Sequence, residues 1–214
     1  MPRTSIPILL AVLMLAACGG ASPTSQGPTV SRVAVQKGDL PAGMVKCDLT
    51  GDIANFIKSE QTPDPNTAQS MTKEWDAAKS KGAKGGYAAI YTDSAAHCAA
   101  IKSNSADIGA ATYKLVVNFV IQFRDEKSAA AGYNNESILG FSASQLKAGG
   151  GAAVQEGTKT GLTANSITLI EPIGNQFFYI AVWQNKSFMV ILAAVNLDSG
   201  AAKNVASSEN SRIK

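Results

Sequence analysis

Apolar and polar positions alternate with a period of two along residues 113–123. Tyr113, Leu115, Val117, Phe119, Ile121 and Phe123 share one face; Lys114, Val116, Asn118, Val120 and Gln122 make a mixed second face. That period predicts a long strand. Two further runs, Phe177 to Trp183 and Phe188 to Val195, are apolar on both faces, as in strands covered on both sides. The Gln184-Asn185-Lys186-Ser187 link between them is short and carries an Asn suited to a left-handed turn, so the two runs are expected to form an antiparallel hairpin. Shorter strands are expected at Val45–Leu49, Gly86–Thr92, Ala152–Glu156 and Ser166–Glu171.

Between the strands the period changes to that of a helix. Thr67 to Lys81 places Met71, Trp75 and Ala78 on one stripe and Lys73, Glu74 and Asp76 elsewhere, and Gly82 stands where such a helix stops. Asp52 is placed to cap a short helix bearing Ile53, Phe56 and Ile57, and Ser94 to cap another through Cys98 and Ala99. Asp125 precedes a helical stretch from Glu126 to Asn134, and Ser142–Lys147 suits a further turn or two. The C-terminal stretch Ser199–Ile213 carries Ala202, Val205, Ala206 and Ile213 at helical spacing. Helices mixed with hairpin-linked strands predict an α+β fold: a mainly antiparallel sheet flanked by helices, an α/β sandwich.

The first 18 residues follow a different logic. Arg3 is followed by an apolar run from Ile6 to Ala17, then by Leu15-Ala16-Ala17-Cys18 at its end. A run of about 12 residues is too short to span a bilayer, which takes about 20 in a helix, and it suits the apolar core of a secretory signal peptide. The small residues before cysteine resemble the lipobox of bacterial lipoproteins. That resemblance implies removal of residues 1–17 and acylation of Cys18 as the first mature residue. The mature chain would then sit on the outer face of the cytoplasmic membrane, held by its lipid. Stable anchoring generally takes more than one acyl chain, and lipoproteins of this type resemble multiply acylated anchors.

Composition then bounds the rest. The chain has 214 residues, 45% hydrophobic and 16% charged, enough apolar material for a buried core. Removing residues 1–17 takes away Arg3, leaving 18 Lys+Arg against 16 Asp+Glu and a net charge of +2. So small an excess does not suit a nucleic-acid partner. Residues 18–36 begin with the lipidated cysteine and are rich in Gly, Ser, Pro and Thr at their start, a composition expected of a flexible tether. A single folded domain is therefore expected over 37–214. With Cys18 acylated, Cys47 and Cys98 form an even pair in an exported domain, most simply one disulfide. It would close a loop of about 50 residues and stabilise by about 4 kcal/mol in the chain-entropy picture.

Leu-Pro-Ala-Gly at 40–43, the Gly161-Leu-Thr-Ala-Asn-Ser166 turn before a strand and the Trp-containing hairpin at 182–188 resemble actinobacterial-type surface lipoproteins with a Mog1/PsbP-like fold. The resemblance implies an antiparallel sheet flanked by helices and a binding or accessory role. It transfers no catalytic residue.

Catalytic signals are few. His97 is the one histidine and stands next to Cys98; neighbouring helical residues do not face each other, and a disulfide leaves Cys98 no thiol. A zinc site lacks ligands. The clusters Gly82-Ala-Lys-Gly-Gly86 and Gly149-Gly150-Gly151 lack the Lys-Ser/Thr and the strand–helix setting of a phosphate cradle. No metal or cofactor is expected. Aromatic side chains are the positive lead: Trp75, Tyr87, Tyr91 and Trp183 are the candidate lining of an apolar ligand site. The expected function is non-enzymatic, a membrane-held binding or accessory domain for a small apolar ligand, an envelope component or a protein partner. The alternative is an envelope hydrolase with two carboxylates about 5 to 10 Å apart across a cleft.

Overall fold

The computed structural model describes residues 27–104, 111–135, 140–149 and 151–214. The leader and Cys18 lie outside the described residues. Among those described, the elements in order are α1 (Val30–Val33), β1 (Val45–Lys46), β2 (Gly51–Asp52), α2 (Ile53–Glu60), α3 (Pro65–Ser80), β3 (Ala83–Thr92), α4 (Ala95–Ser103), β4 (Leu115–Phe123), α5 (Glu126–Asn135), α6 (Ala143–Gly149), β5 (Val154–Glu156), β6 (Ser166–Ile173), β7 (Gln176–Asn185), β8 (Phe188–Val195) and α7 (Ser199–Ser211). Eight strands form one antiparallel sheet in the order β1-β3-β4-β8-β7-β6-β5, with β2 also on β3. This is the α+β sandwich that the alternation of helical and strand periods predicts.

The period-two residues sort between two layers. Leu115, Val117, Phe119, Ile121 and Phe123 of β4 join Met189, Ile191, Ala193 and Val195 of β8 in one cluster, covered by Ile53, Phe56 and Ile57 of α2, Met71, Trp75 and Ala78 of α3, Ile101 of α4 and Ala129 of α5. We call this the helical face. Val116 and Val120 point the other way with Phe188, Val190, Leu192 and Ala194, under Val33, Ala34 and Val35 and under Ala202, Val205 and Ala206 of α7. We call that the strap face. Buried residues thus line both sides of the central strands, which is why the β7–β8 hairpin reads as continuously apolar.

Local chemistry sets the helix starts. Asp52 accepts from the Ala54 amide, Asp64 from Thr67, Ser94 from His97 and Asp198 from Ala201, caps that typically contribute about 1 kcal/mol each. Pro65 occupies the first turn of α3, where its missing N–H costs nothing, so α3 begins two residues before the periodicity signals it. At Gly86 a Cβ would lie 2.5 Å from Ile53 Cδ1 and 3.1 Å from Trp75 Cη2. Glycine there lets α2 and α3 close on β3.

One boundary moves. The tether was expected to run to Gln36, yet Val33, Ala34 and Val35 are fully or almost fully buried, so the packed chain starts near residue 30. The stretch Val30-Ser-Arg-Val-Ala-Val35 packs as a strap, the single helical turn α1 running into extended chain at Ala34 and Val35, too short to show helical or strand periodicity in the sequence. The disulfide is formed: Cys47, just after β1, joins Cys98 on α4 with Cα atoms 5.2 Å apart. Beside it Thr92 Oγ1 lies 3.2 Å from Cys98 Sγ.

Candidate functional site

The four aromatic candidates do not share a hollow. Trp75 is buried on the helical face, whereas Tyr91 and Trp183 are buried in the strap-face cluster and Tyr87 packs against it. The sheet lies between Trp75 and the other three. Tyr91 donates its hydroxyl to the Val35 carbonyl at 3.1 Å, and Lys46 Nζ donates to Tyr87 Oη at 3.5 Å. Tyr91 thereby holds the strap in place, and Trp183, with no exposed surface, is core. The period-two rule already separates even from odd residues of β3 and β7, but it does not say which face α3 covers.

Trp75 does border a recess, formed where α2 and α3 lie side by side. Ala54, Ile57, Lys58 and Gln61 repeat at helical spacing along α2, as do Pro65, Ala68, Gln69 and Thr72 along α3. Two hollows of about 390 and 360 Å³ share Gln61 and Thr72 and so form one groove. Ala54 and Ala68 are too short to fill it, and Ile57 and Trp75 supply an apolar floor. Charge is placed on the rim. Lys79 pairs with Asp76 at 2.8 Å, while exposed Lys58 and Lys73 line the groove without a carboxylate partner among the described residues. Such an arrangement suits a ligand that is apolar along its length and anionic at one point. The signal was present in the sequence as two facing i, i+3, i+4, i+7 stripes. It stayed hidden because periodicity does not state that α2 and α3 are neighbours.

Two more recesses are less suited. One of about 290 Å³ beside the disulfide is lined by Lys46, Asp48, Leu49, Ala95, Cys98 and Lys102, among others. The other, about 440 Å³ behind the β6–β7 turn, is lined by Pro172, Phe177, Asn196, Leu197 and Asp198 with the turn itself.

His97 lies half-buried on α4. Its Nδ1 meets Asp93 Oδ1 at 2.5 Å, and its ring stacks on Tyr113 with centroids 4.0 Å apart. Burial works against the Asp93 carboxylate, but the hydrogen bonds from His97 and from the Lys114 amide outweigh it and hold the group below its ordinary range. Ser94 Oγ accepts from the His97 amide and Cys98 is committed to its disulfide; among the described residues the imidazole's hydrogen-bond partner is Asp93. Among the described residues no group of three or more His, Cys, Asp or Glu side chains is placed to hold a metal ion.

The densest buried polar cluster lies under α7. Asn118 Nδ2 donates to both oxygens of Glu209, at 2.9 and 3.1 Å, and to the Ile191 carbonyl, while its Oδ1 accepts from the Val35 amide at 3.0 Å. Nearby, Arg212 grips both Asp39 oxygens at 2.9 and 2.8 Å and the carbonyls of Val33 and Ala34 at 3.0 Å. Burial pushes the Glu209 carboxyl well above its ordinary range, against the bond from Asn118 and the charge of Arg212. Asn118, Glu209, Arg212 and Asp39 are matched to one another and to the strap, and the cluster lines none of the four recesses described above, so it serves as a clamp on the strap rather than as a site. Asn118 was expected on a mixed face; its burial depends on partners 83 and 91 residues away in the chain.

The fold is similar to that in the crystal structure of the extracellular domain of PknH from Mycobacterium tuberculosis, with 13% sequence identity and a TM-score of 0.51 over 88% of this chain and 97% of that one. No protein-family model matches the chain, and no curated protein matches it. Among the described residues no helix is long and apolar enough to cross a membrane.

Proposed function

We propose that this protein is an extracytoplasmic, lipid-anchored binding domain without catalytic activity, and that the α2–α3 groove is its ligand surface. The observation that carries the reading is the groove itself, an apolar floor of Ile57 and Trp75 with lysines 58 and 73, which have no carboxylate partner among the described residues, on its rim. The ligand class this favours is an amphipathic anion of the cell envelope. Export is supported by the lipobox-like leader ending at Cys18, by a disulfide of the kind that persists in oxidising compartments, and by a fold like that of an extracellular domain. The alternative, hydrolysis by a carboxylate pair, needs two acids facing across a cleft. None of the four recesses described above is lined by more than one, and the buried carboxyls Glu60 and Glu209 sit on opposite sides of the sheet.

Two experiments test the reading. Cys18→Ala should release the chain from the membrane fraction or stall its processing, and unchanged retention would contradict the anchor. Decyl phosphate titrated below its micelle concentration should shift the amide resonances of α2 and α3, while decyl maltoside leaves them in place. Equal shifts from both probes, or none from decyl phosphate, would contradict the groove.

A further inference from the structure

Cations collect at one end of the sheet. The register pairs Ala83 with Phe123, Gln122 with Phe188 and Asn185 with Phe188, so the turns before β3, after β4 and between β7 and β8 lie together. Backbone hydrogen bonds join them directly, Arg124 N to Gly82 O and Phe123 N to Ser187 O, each at 2.8 Å. The C-terminal end of α7 is drawn to the same place by Asn185 Nδ2 donating to Asn210 Oδ1 at 2.8 Å. Far apart in sequence, Lys81, Lys84, Arg124, Lys127, Lys186 and Lys214 are therefore exposed around one end of the molecule. Among the described residues two side-chain carboxylates, Asp125 and Glu126, stand among these six cations, of which Lys81 has an interaction of its own, and Asp125 is held by Arg124 and by the Ser128 amide it caps. The opposite end, where β3 stops and β4 starts, has no such excess among the described residues: Lys46, Lys102 and Lys114 stand against Asp48, Asp93 and Asp198.

The N-terminal strap enters from the basic end. Val33 and Ala34 lie against Arg212, at the C-terminal end of α7, and the chain then travels to β1, whose Val45 pairs with Thr92 at the far end. Eight residues, 19–26, separate Cys18 from Gly27, a reach of at most about 30 Å. We propose that this basic end is a membrane-facing collar: it meets the anionic headgroups of the bilayer that holds the lipid and orients the domain with its opposite end outward. Surface potential acts over about 8 to 10 Å at physiological salt, so the anchor supplies proximity and the collar supplies orientation. Lys58 and Lys73, on the side of the domain between α2 and α3, are not part of it. The inference rests on the anchored reading above.

The mature lipidated protein, reconstituted into phosphatidylcholine vesicles with or without a quarter of phosphatidylglycerol, provides the test through amine acylation read by mass spectrometry. Acylation of Lys84, Lys127 and Lys186 should slow about fivefold or more on the anionic vesicles, each cation near such a surface being worth roughly that factor in partition. Lys46 and Lys114 should keep their rates, and high salt should abolish the difference. In the K84E/K127E/K186E variant the remaining collar residues Lys81 and Lys214 should lose protection. Equal rates on the two vesicle types, or protection at Lys46 and Lys114 instead, would overturn the collar. Failure of the protein to float with pure phosphatidylcholine vesicles would overturn the anchor, and the phosphatidylglycerol-dependent difference would still decide the collar.

Discussion

The two faces of the sheet are covered in opposite ways. On the helical face, short helices from separate stretches of chain lie side by side, and where α2 meets α3 they leave a groove floored by Trp75. On the strap face, one N-terminal segment and one C-terminal helix seal the surface, and Asn118, Glu209, Arg212 and Asp39 beneath them are matched to one another and to the strap, while Trp183 Nε1 is buried without a hydrogen-bond partner among the described residues. The difference separates roles. A surface tiled by independent helices has seams, and the proposed ligand site lies in one, whereas a surface closed by the N-terminal segment and α7 fastens residues 33–35 to the centre of the sheet.

If that contrast holds, damage to each face should have its own signature. Removing the disulfide, as C47A/C98A, should cost about 4 kcal/mol in global unfolding experiments, and hydrogen exchange should show, on top of that uniform loss, new local openings in α4 and β1, which the bridge joins. New local openings at the strap instead would blur the comparison. Arg212→Ala should cost about 3 kcal/mol, because it strips two carbonyls and the buried side of Asp39 of their partner. Its exchange signature should appear at residues 33–39 and in α7, with the α2–α3 groove unaffected.

The smallest effect is one of pH. Glu209 faces Asn118, Arg212, Asp39 and Tyr179, and its folded-state pKa is raised. The stability this gives is complete below the ordinary glutamate range, and it is lost as pH rises from there through the folded-state value, because the unfolded chain releases the proton first. Glu209→Gln keeps an oxygen for the Asn118 amide and removes that proton. The variant should therefore show a flatter decline in stability from acid toward neutral pH than the parent. An identical pH profile would mean that Glu209 is ionised in the fold.

Much of the architecture was legible in the chain. The β7–β8 hairpin, the caps at Asp52 and Ser94 and the Cys47–Cys98 bridge all follow from local spacing or from cysteine parity, and they stand as expected. What periodicity cannot express is which element covers which face. Trp75 and Trp183 therefore read alike in the sequence although the sheet divides them. Asn118 reads as a polar position on a half-solvated strand because its partners, Val35 and Glu209, come from the two ends of the packed chain. The strap escaped for a related reason, since Val33, Ala34 and Val35 are buried at the end of one helical turn, too short for a repeat to announce it.

The chain contains two tryptophans, one on each face, and they permit the most direct measurement. In a Trp183→Phe variant Trp75 reports alone, and in Trp75→Phe the reporter is Trp183. A nitroxide-bearing alkyl phosphate should quench the fluorescence of Trp75 and leave Trp183 unchanged, and K58E/K73E should abolish the quenching. Equal quenching of both tryptophans, or quenching of Trp75 that ignores the two lysines, would contradict a ligand groove between α2 and α3.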